Sequence, residues 1–285
     1  MNYPVLRIGS RLFDTNKASF VMGILNVTPD SFSDGGRYLG PETALMRALL
    51  MAGEGADLID IGGESTRPGS DPVSEEEELD RVIPVIERLK KELEIPISID
   101  TTKAEVARQA IHAGAALVND ISGMQFDPEM VDVVAKAGIP VVLMHTVGPP
   151  KTMQKEYHYD DVVEDILLYF KERLAFVESR GVSAENVILD PGIGFGKGVE
   201  HNLNLIRDLR RFEVLGHPIM VGASRKSFIG KVLDLPVNQR VEGSLAAAAA
   251  SVLNGAAFVR VHDVRESVRV CRLCDAILGK SSFDG

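Results

Sequence analysis

The sequence predicts a single-domain α/β protein, a TIM-type (β/α)8 barrel. Three observations predict it. Eight short apolar runs alternate with segments of three- and four-residue apolar spacing along the whole chain. Each run closes on or near an amide, an acid or a base, where a parallel barrel carries its chemistry. No run leads into Gly-x-Gly-x-x-Gly, which weakens the alternative, a doubly wound open sheet of the dinucleotide-binding kind.

The elements follow in order. Residues 1–18 read as a lead-in segment to one domain covering residues 1–285. The strand candidates are Val21–Asn26, Leu58–Gly62, Ile97–Asp100, Leu117–Asp120, Val141–His145, Val187–Asp190, Ile219–Gly222 and Phe258–His262. Helical spacing fills Thr43–Gly53, Glu75–Leu93, Lys103–His112, Pro128–Ala137, Val162–Arg180, Asn202–Arg211 and Val241–Asn254. Ser74 and Glu77 have the capping-box spacing, so the acidic run there reads as a helix start. Gly53, Gly114, Gly138 and Gly181 fall where helices should stop. The alanine run Ala246–Ala250 predicts close packing of its helix on a neighbour.

Composition excludes several classes. A net charge of −10 without a clustered basic stripe argues against general affinity for nucleic acid. No run is long and apolar enough for a membrane span, and the first residues lack a signal-peptide pattern, so a cytoplasmic protein is expected. The two cysteines, Cys271 and Cys274, sit in a segment of helical apolar spacing. With no second pair to complete a metal site, they read as small apolar side chains.

The strand ends carry the functional signal. In order they offer Asn26; Asp60 through Gly69; Asp100; Asn119-Asp120; Met144-His145; Asp190; Gly222 through Ser227; and Arg260 with His262. A lone acid at a strand end is more often a cap or turn former. Repetition around one mouth carries more weight. Asp100, Asn119, Asp190 and Lys226 form a set suited to a flat heterocycle, since carboxylates accept pairs of amino donors and Asn both donates and accepts. Arg67, Arg260, His262 and Asn26 suit an anion or a metal-phosphate group, for Arg forks match phosphate oxygens and an amide oxygen is a hard ligand for Mg2+. The run from Asp190 to Gly198 lacks the P-loop spacing and reads as a tight loop that holds Asp190 and presents Phe195.

These residues resemble a known family. Gly23 to Gly36, Asp60 to Gly69, Ser98 to Thr101, Asn119 to Ser122, Asp190 to Lys197, Gly222 to Ser227 and Arg260 to Val264 are similar to the motifs of bacterial dihydropteroate synthases, in the family's order and across nearly the whole chain. One stretch departs. Where the family reads Met-His-Met-x-Gly-Thr-Pro-x-x-Met-Gln, residues 144–154 read Met-His-Thr-Val-Gly-Pro-Pro-Lys-Thr-Met-Gln.

The resemblance implies condensation of 7,8-dihydropterin-6-ylmethyl diphosphate with p-aminobenzoate, with Mg2+ as cofactor and sulfonamides as competitive inhibitors. It implies that Asp100, Asn119, Asp190 and Lys226 hold the pterin. Thr66, Arg67, Arg260 and His262 would hold the diphosphate, with Asn26 on Mg2+ and Asp34 a second candidate ligand. Phe32, Pro68, Phe195 and Ser224 would shape the p-aminobenzoate slot. Arg67, Lys226, Arg260 and His262 would act on the reacting groups, and a homodimer through the alanine-rich and C-terminal helices is expected. Two other readings compete: a pterin-binding methyltransferase, which has no need of the diphosphate set, and a catalytically silent pterin binder on the same barrel.

Overall fold

The computed structural model describes residues 3–28, 41–67, 69–154 and 157–280. Two short strands, β1 (Leu6–Ile8) and β2 (Arg11–Phe13), come first and pair as an antiparallel hairpin. Eight more follow: β3 (Phe20–Asn26), β4 (Leu58–Gly62), β5 (Ile97–Asp100), β6 (Leu117–Asp120), β7 (Val141–Met144), β8 (Val187–Asp190), β9 (Met220–Val221) and β10 (Phe258–Val261). They form one parallel sheet in the order β8-β7-β6-β5-β4-β3-β10-β9. A parallel bridge between Leu189 and Ile219 joins its two ends, so the sheet closes as a barrel. Each strand then lies beside its successor in the chain, as right-handed β–α–β connections require.

The helices α1 (Pro41–Gly53), α2 (Glu75–Glu92), α3 (Ala104–Ala113), α4 (Met130–Ala137), α5 (Val162–Ser179), α6 (Val199–Arg207), α7 (Ser227–Leu233), α8 (Val241–Leu253) and α9 (Val264–Ile277) connect the strands. Local chemistry sets their ends. Ser74 Oγ accepts from the Glu77 N–H at 3.1 Å and caps α2. The box is half made, because the Glu77 carboxylate pairs with Arg81 instead of returning to the cap. Gly138 stops α4 at φ 63°, a left-handed backbone that Gly adopts without strain.

Most strand limits match the expected ones to within a residue or two. Three differences have physical causes. β9 is shorter than Ile219–Gly222, since Ile219 makes the closing bridge and Gly222 begins the next turn. The sixth helix starts at Val199, earlier than Asn202, because Asn202 turns its amide back onto the Gly198 carbonyl at 2.7 Å. It also ends at Arg207, before Arg211, and Leu209–Leu215 is 3-10 helix, with Leu209 and Phe212 buried one tight turn apart. The lead-in segment is not bare either, since it contains the hairpin.

Strand side chains alternate between two surfaces. Val21, Ile59, Ile99, Val118, Leu143, Leu189 and Val259 face the helices in the larger core cluster. Met22, Leu58, Leu117, Val142, Ile188, Met220 and Phe258 face the barrel axis. Leu6, Ile8 and Phe13 of the hairpin pack into that second cluster and floor the barrel at its N-terminal end. Phe13, Phe20 and Phe258 meet there with centroids 4.8 Å (Phe13–Phe20) and 5.5 Å (Phe20–Phe258) apart, each pair adding about 1 kcal/mol beyond the buried area. Among the described residues no helix is long and apolar enough to cross a membrane.

Candidate active site

The period of two that fills the barrel floor also builds the site. Two residues beyond Leu58, Leu117, Ile188 and Phe258, on the same strand face, stand Asp60, Asn119, Asp190 and Arg260. An apolar layer is thus overlaid by an ionic one. Arg260 is its hub: Nε donates to Asp60 Oδ2 and Nη2 to Asp100 Oδ2, both at 2.6 Å. Asn119 Nδ2 donates to the same Asp60 oxygen at 2.9 Å. Among the described residues, Asp60 Oδ1 and Asn119 Oδ1 are buried without a hydrogen-bond partner. Such acceptors are costly unless something donates to them.

Burial governs the electrostatics. It pushes Asp100 up to about 7, against the pull of Arg260. Asp190 is raised by burial, with Lys226 opposing. Burial also brings Lys226 down to about 8, with Asp190 resisting. Lys226 lies 4.5 Å from the centre of the Phe195 ring and donates to the Ile193 carbonyl. Asp190 and Phe195, from one motif, and Lys226, from another, therefore meet in one corner.

The loop after β8 is held from several sides. Asp190 Oδ1 accepts from Gly192 N–H at 2.7 Å. Gln154 donates to the Gly194 carbonyl at 2.6 Å, and Tyr159 to the Gly196 carbonyl at 3.1 Å. Lys197, 3% exposed, reaches His145 Nδ1 and the Phe195 carbonyl, each at 2.9 Å. Ile121, Met144, Met153 and Phe195 form a small apolar cluster behind it. The departure from the family pattern at residues 146–152 leaves both fixing residues, Met153 and Gln154, in place.

A second pair of turns is joined across β9 and β10. Ser224 Oγ lies 3.0 Å from His262 Nδ1, and Arg225 forks onto Asp263, with Nε 3.0 Å from Oδ2. His262 is lowered to about 4 by burial, with Arg260 and Arg225 adding to the effect, so the ring is neutral at pH 7.

The expected anion set is less concentrated. Arg260 directs two of its donors at carboxylates, so it belongs as much to the layer of Asp60, Asp100 and Asn119. Thr66 and Arg67 lie on the loop after β4. Arg67 is exposed, and its charge still reaches His262. Ser70 Oγ braces that loop through the Arg67 carbonyl at 2.8 Å. Phe32, Asp34 and Pro68 lie outside the described residues.

Asn26 and Gly62 are register partners at the barrel rim. A β-carbon on Gly62 would sit 3.5 Å from Asn26 Oδ1 and 3.7 Å from the Asp100 carboxylate, so the glycine leaves an oxygen-lined cradle. One amide oxygen fits a Mg2+ that keeps waters and takes its other ligands from phosphate. Among the described residues no cluster of three or more His, Cys, Asp or Glu forms a metal cage.

A cavity of about 290 Å3 opens on the β4–β7 side, walled by Thr66, Asp100, Lys103, Phe126 and Pro149. It shares Asp100 with the ionic layer, whereas Asp190, Lys226 and His262 are not among its walls. Shape alone would place the site to one side of the converging charges.

Three contributors escaped the sequence reading. In the sequence Asp60 stands only at the start of a motif, although strand parity with Leu58 marks it as inward-facing. Nothing in the sequence pairs Lys197 with His145, or Arg225 with Asp263.

A charged layer at the C-terminal mouth of a closed parallel barrel defines a (β/α)8 enzyme. Residues 22–262 match the family model described as pterin binding enzyme. The chain is 50% identical to the dihydropteroate synthase of Synechocystis over 275 residues, 96% of this chain and 95% of that one. It superposes with a TM-score of 0.92 on the Yersinia pestis dihydropteroate synthase solved with a sulfonamide drug, at 45% identity, covering 97% of this chain and 100% of that one. The Xanthomonas albilineans dihydropteroate synthase with 4-aminobenzoic acid gives 0.90 at 44% identity, covering 97% and 98%. The chain therefore belongs to the pterin-binding enzymes and, within them, to the dihydropteroate synthases.

Proposed function

We propose that this chain condenses 7,8-dihydropterin-6-ylmethyl diphosphate with p-aminobenzoate, giving 7,8-dihydropteroate and diphosphate. The observation that carries this reading is the pair of unpartnered buried acceptors, Asp60 Oδ1 and Asn119 Oδ1, in a layer that also holds Asp100 and Asp190. An aminopyrimidine edge supplies the N–H donors they lack.

In this reading Asp100, Asn119 and Asp190 hold the pterin, and Lys226 donates to a ring oxygen or nitrogen. The scissile C–O bond breaks with its electron pair passing to the diphosphate oxygen. The aniline lone pair then forms the C–N bond, and the nitrogen passes one of its two protons to water. Asp100 and Asp190 stabilise positive charge spread into the pterin ring. Thr66, Arg67, Arg260 and His262 stabilise charge growing on the leaving group. The aniline is neutral at pH 7, so no strong general base is needed. Phe195 and Ser224, with Phe32 and Pro68, wall the p-aminobenzoate slot, which would also admit sulfonamides in competition. Asn26 would hold Mg2+, with Asp34 a second candidate ligand, and bound Mg2+ would neutralise diphosphate charge.

A cytoplasmic homodimer meeting through α8 and α9 completes the reading. Leu273 and Ile277 of α9, 63% and 66% exposed, support that surface. Release of diphosphate on mixing the two substrates is the test. A methyltransferase or a silent binder on this barrel would release none.

A further inference from the structure

Ser224 is buried in the turn after β9, and its hydroxyl has two contacts with one residue. The backbone N–H of His262 donates to Oγ at 3.2 Å, and the His262 ring nitrogen Nδ1 lies 3.0 Å away. The first contact uses a lone pair of the hydroxyl. The hydroxyl proton still needs an acceptor. Of the two contacts, Nδ1 is the one that can accept it. A ring that accepts at Nδ1 and is neutral carries its proton on Nε2.

The turn holds Ser224 in place. The next residue, Arg225, has φ 58°, a left-handed backbone that a long side chain rarely takes. Four contacts lock it there. Its N–H donates to Ser244 Oγ at 2.9 Å, and its carbonyl accepts from Arg240 at 3.1 Å. Its guanidinium grips Asp263 through both Nε and Nη2. Asp263 directly follows His262, so the clamp ties the turn of Ser224 to the strand end of His262.

We propose that Ser224 is a positioning residue that fixes His262 as the Nε2–H tautomer, so that the ring presents a hydrogen-bond donor to the departing diphosphate. The inference rests on the assignment of His262 to the leaving group. The opposite tautomer would turn a lone pair toward an oxyanion and repel it. Ser224 has so far been assigned only to the wall of the p-aminobenzoate slot, a role that does not require a bond to the imidazole.

The test uses the full chain labelled with 15N-histidine, with H262A to identify the resonances. Wild type should show an unprotonated Nδ1 and a protonated Nε2 at His262. S224A should show mixed tautomers and a kcat about tenfold lower or more, as when a ring nitrogen loses its orienting partner. Its affinity for a dihydropterin that lacks the diphosphate should be unchanged, and S224T should restore both tautomer and rate. A proton found on Nδ1 in wild type, or an unchanged Nε2–H signature in S224A, overturns the proposal. Normal turnover in H262A would instead remove the leaving-group role, and the spectra would still decide the pairing of Ser224 with His262.

Discussion

Arg260 Nε donates to Asp60 Oδ2 at 2.6 Å, joining residues 200 positions apart in the chain. Asp60 is fully buried and the Arg260 side chain is 17% exposed. Removing Asp60 leaves Asp100 to face the guanidinium alone and strands two donors, Arg260 Nε and Asn119 Nδ2, in a medium that solvates them poorly. Asp60→Ala should therefore lose about 3–5 kcal/mol, the range for a broken buried pair. Urea denaturation checks this, and a loss under 1 kcal/mol would show that the pair is well hydrated.

Asp190 faces the axis and holds Gly192 N–H. The amide in Asp190→Asn can still accept that bond, so the loop should survive. What disappears is the charge proposed to face the pterin ring. Pterin affinity should fall at least about tenfold, near 1.4 kcal/mol, with little change in melting temperature. Normal affinity by calorimetry in this variant would rule out the assignment.

Asp100 supplies a pH dependence. It is harder to ionise in the fold, about 7, than in an unfolded chain, near 3.8. Its contribution to stability is therefore fully present below pH 3.8 and is lost as the pH rises toward 7. Pterin N–H donors would favour the ionised form. Binding at pH 7 should then release about half a proton, since a group at its pKa is half protonated. Calorimetry in buffers of different ionisation enthalpy measures this, and Asp100→Asn should abolish it.

His262→Ala should lower turnover by about 100-fold, the scale of losing one donor to a developing oxyanion. The KM for p-aminobenzoate should change far less. Steady-state kinetics separates the two, and an unchanged kcat would count against a role at the leaving group.

Lys197 gives a contrast. Burial lowers its pKa well below the ordinary lysine range, so its ammonium is poorly solvated. Lys197→Met fills a similar volume without that penalty, so stability should hold. The Phe195 carbonyl and His145 Nδ1 would lose their donor. The KM for p-aminobenzoate should rise several-fold, while pterin affinity stays. Equal losses in both would assign Lys197 to the pterin instead.

The barrel was legible because its signals are local. Strand length, helix spacing and the cap at Ser74 each lie within one window of sequence. The inward groups were legible where they end a strand, as Asp100 and Asp190 do, or stand one residue before its end, as Asn119 does. Long-range pairing was not. Arg260 could be read as an anion binder because a guanidinium suits phosphate and carboxylate alike. Only the closed barrel brings Asp60 and Asp100 within its reach. The hairpin escaped because three-residue strands carry too little alternation to register.

That hairpin has a further consequence. With Leu6, Ile8 and Phe13 packed into the N-terminal end, the barrel is a cul-de-sac. A molecule that reaches the ionic layer enters and leaves by the C-terminal mouth. The two-stranded floor thereby sets the direction of traffic from the far side of the barrel.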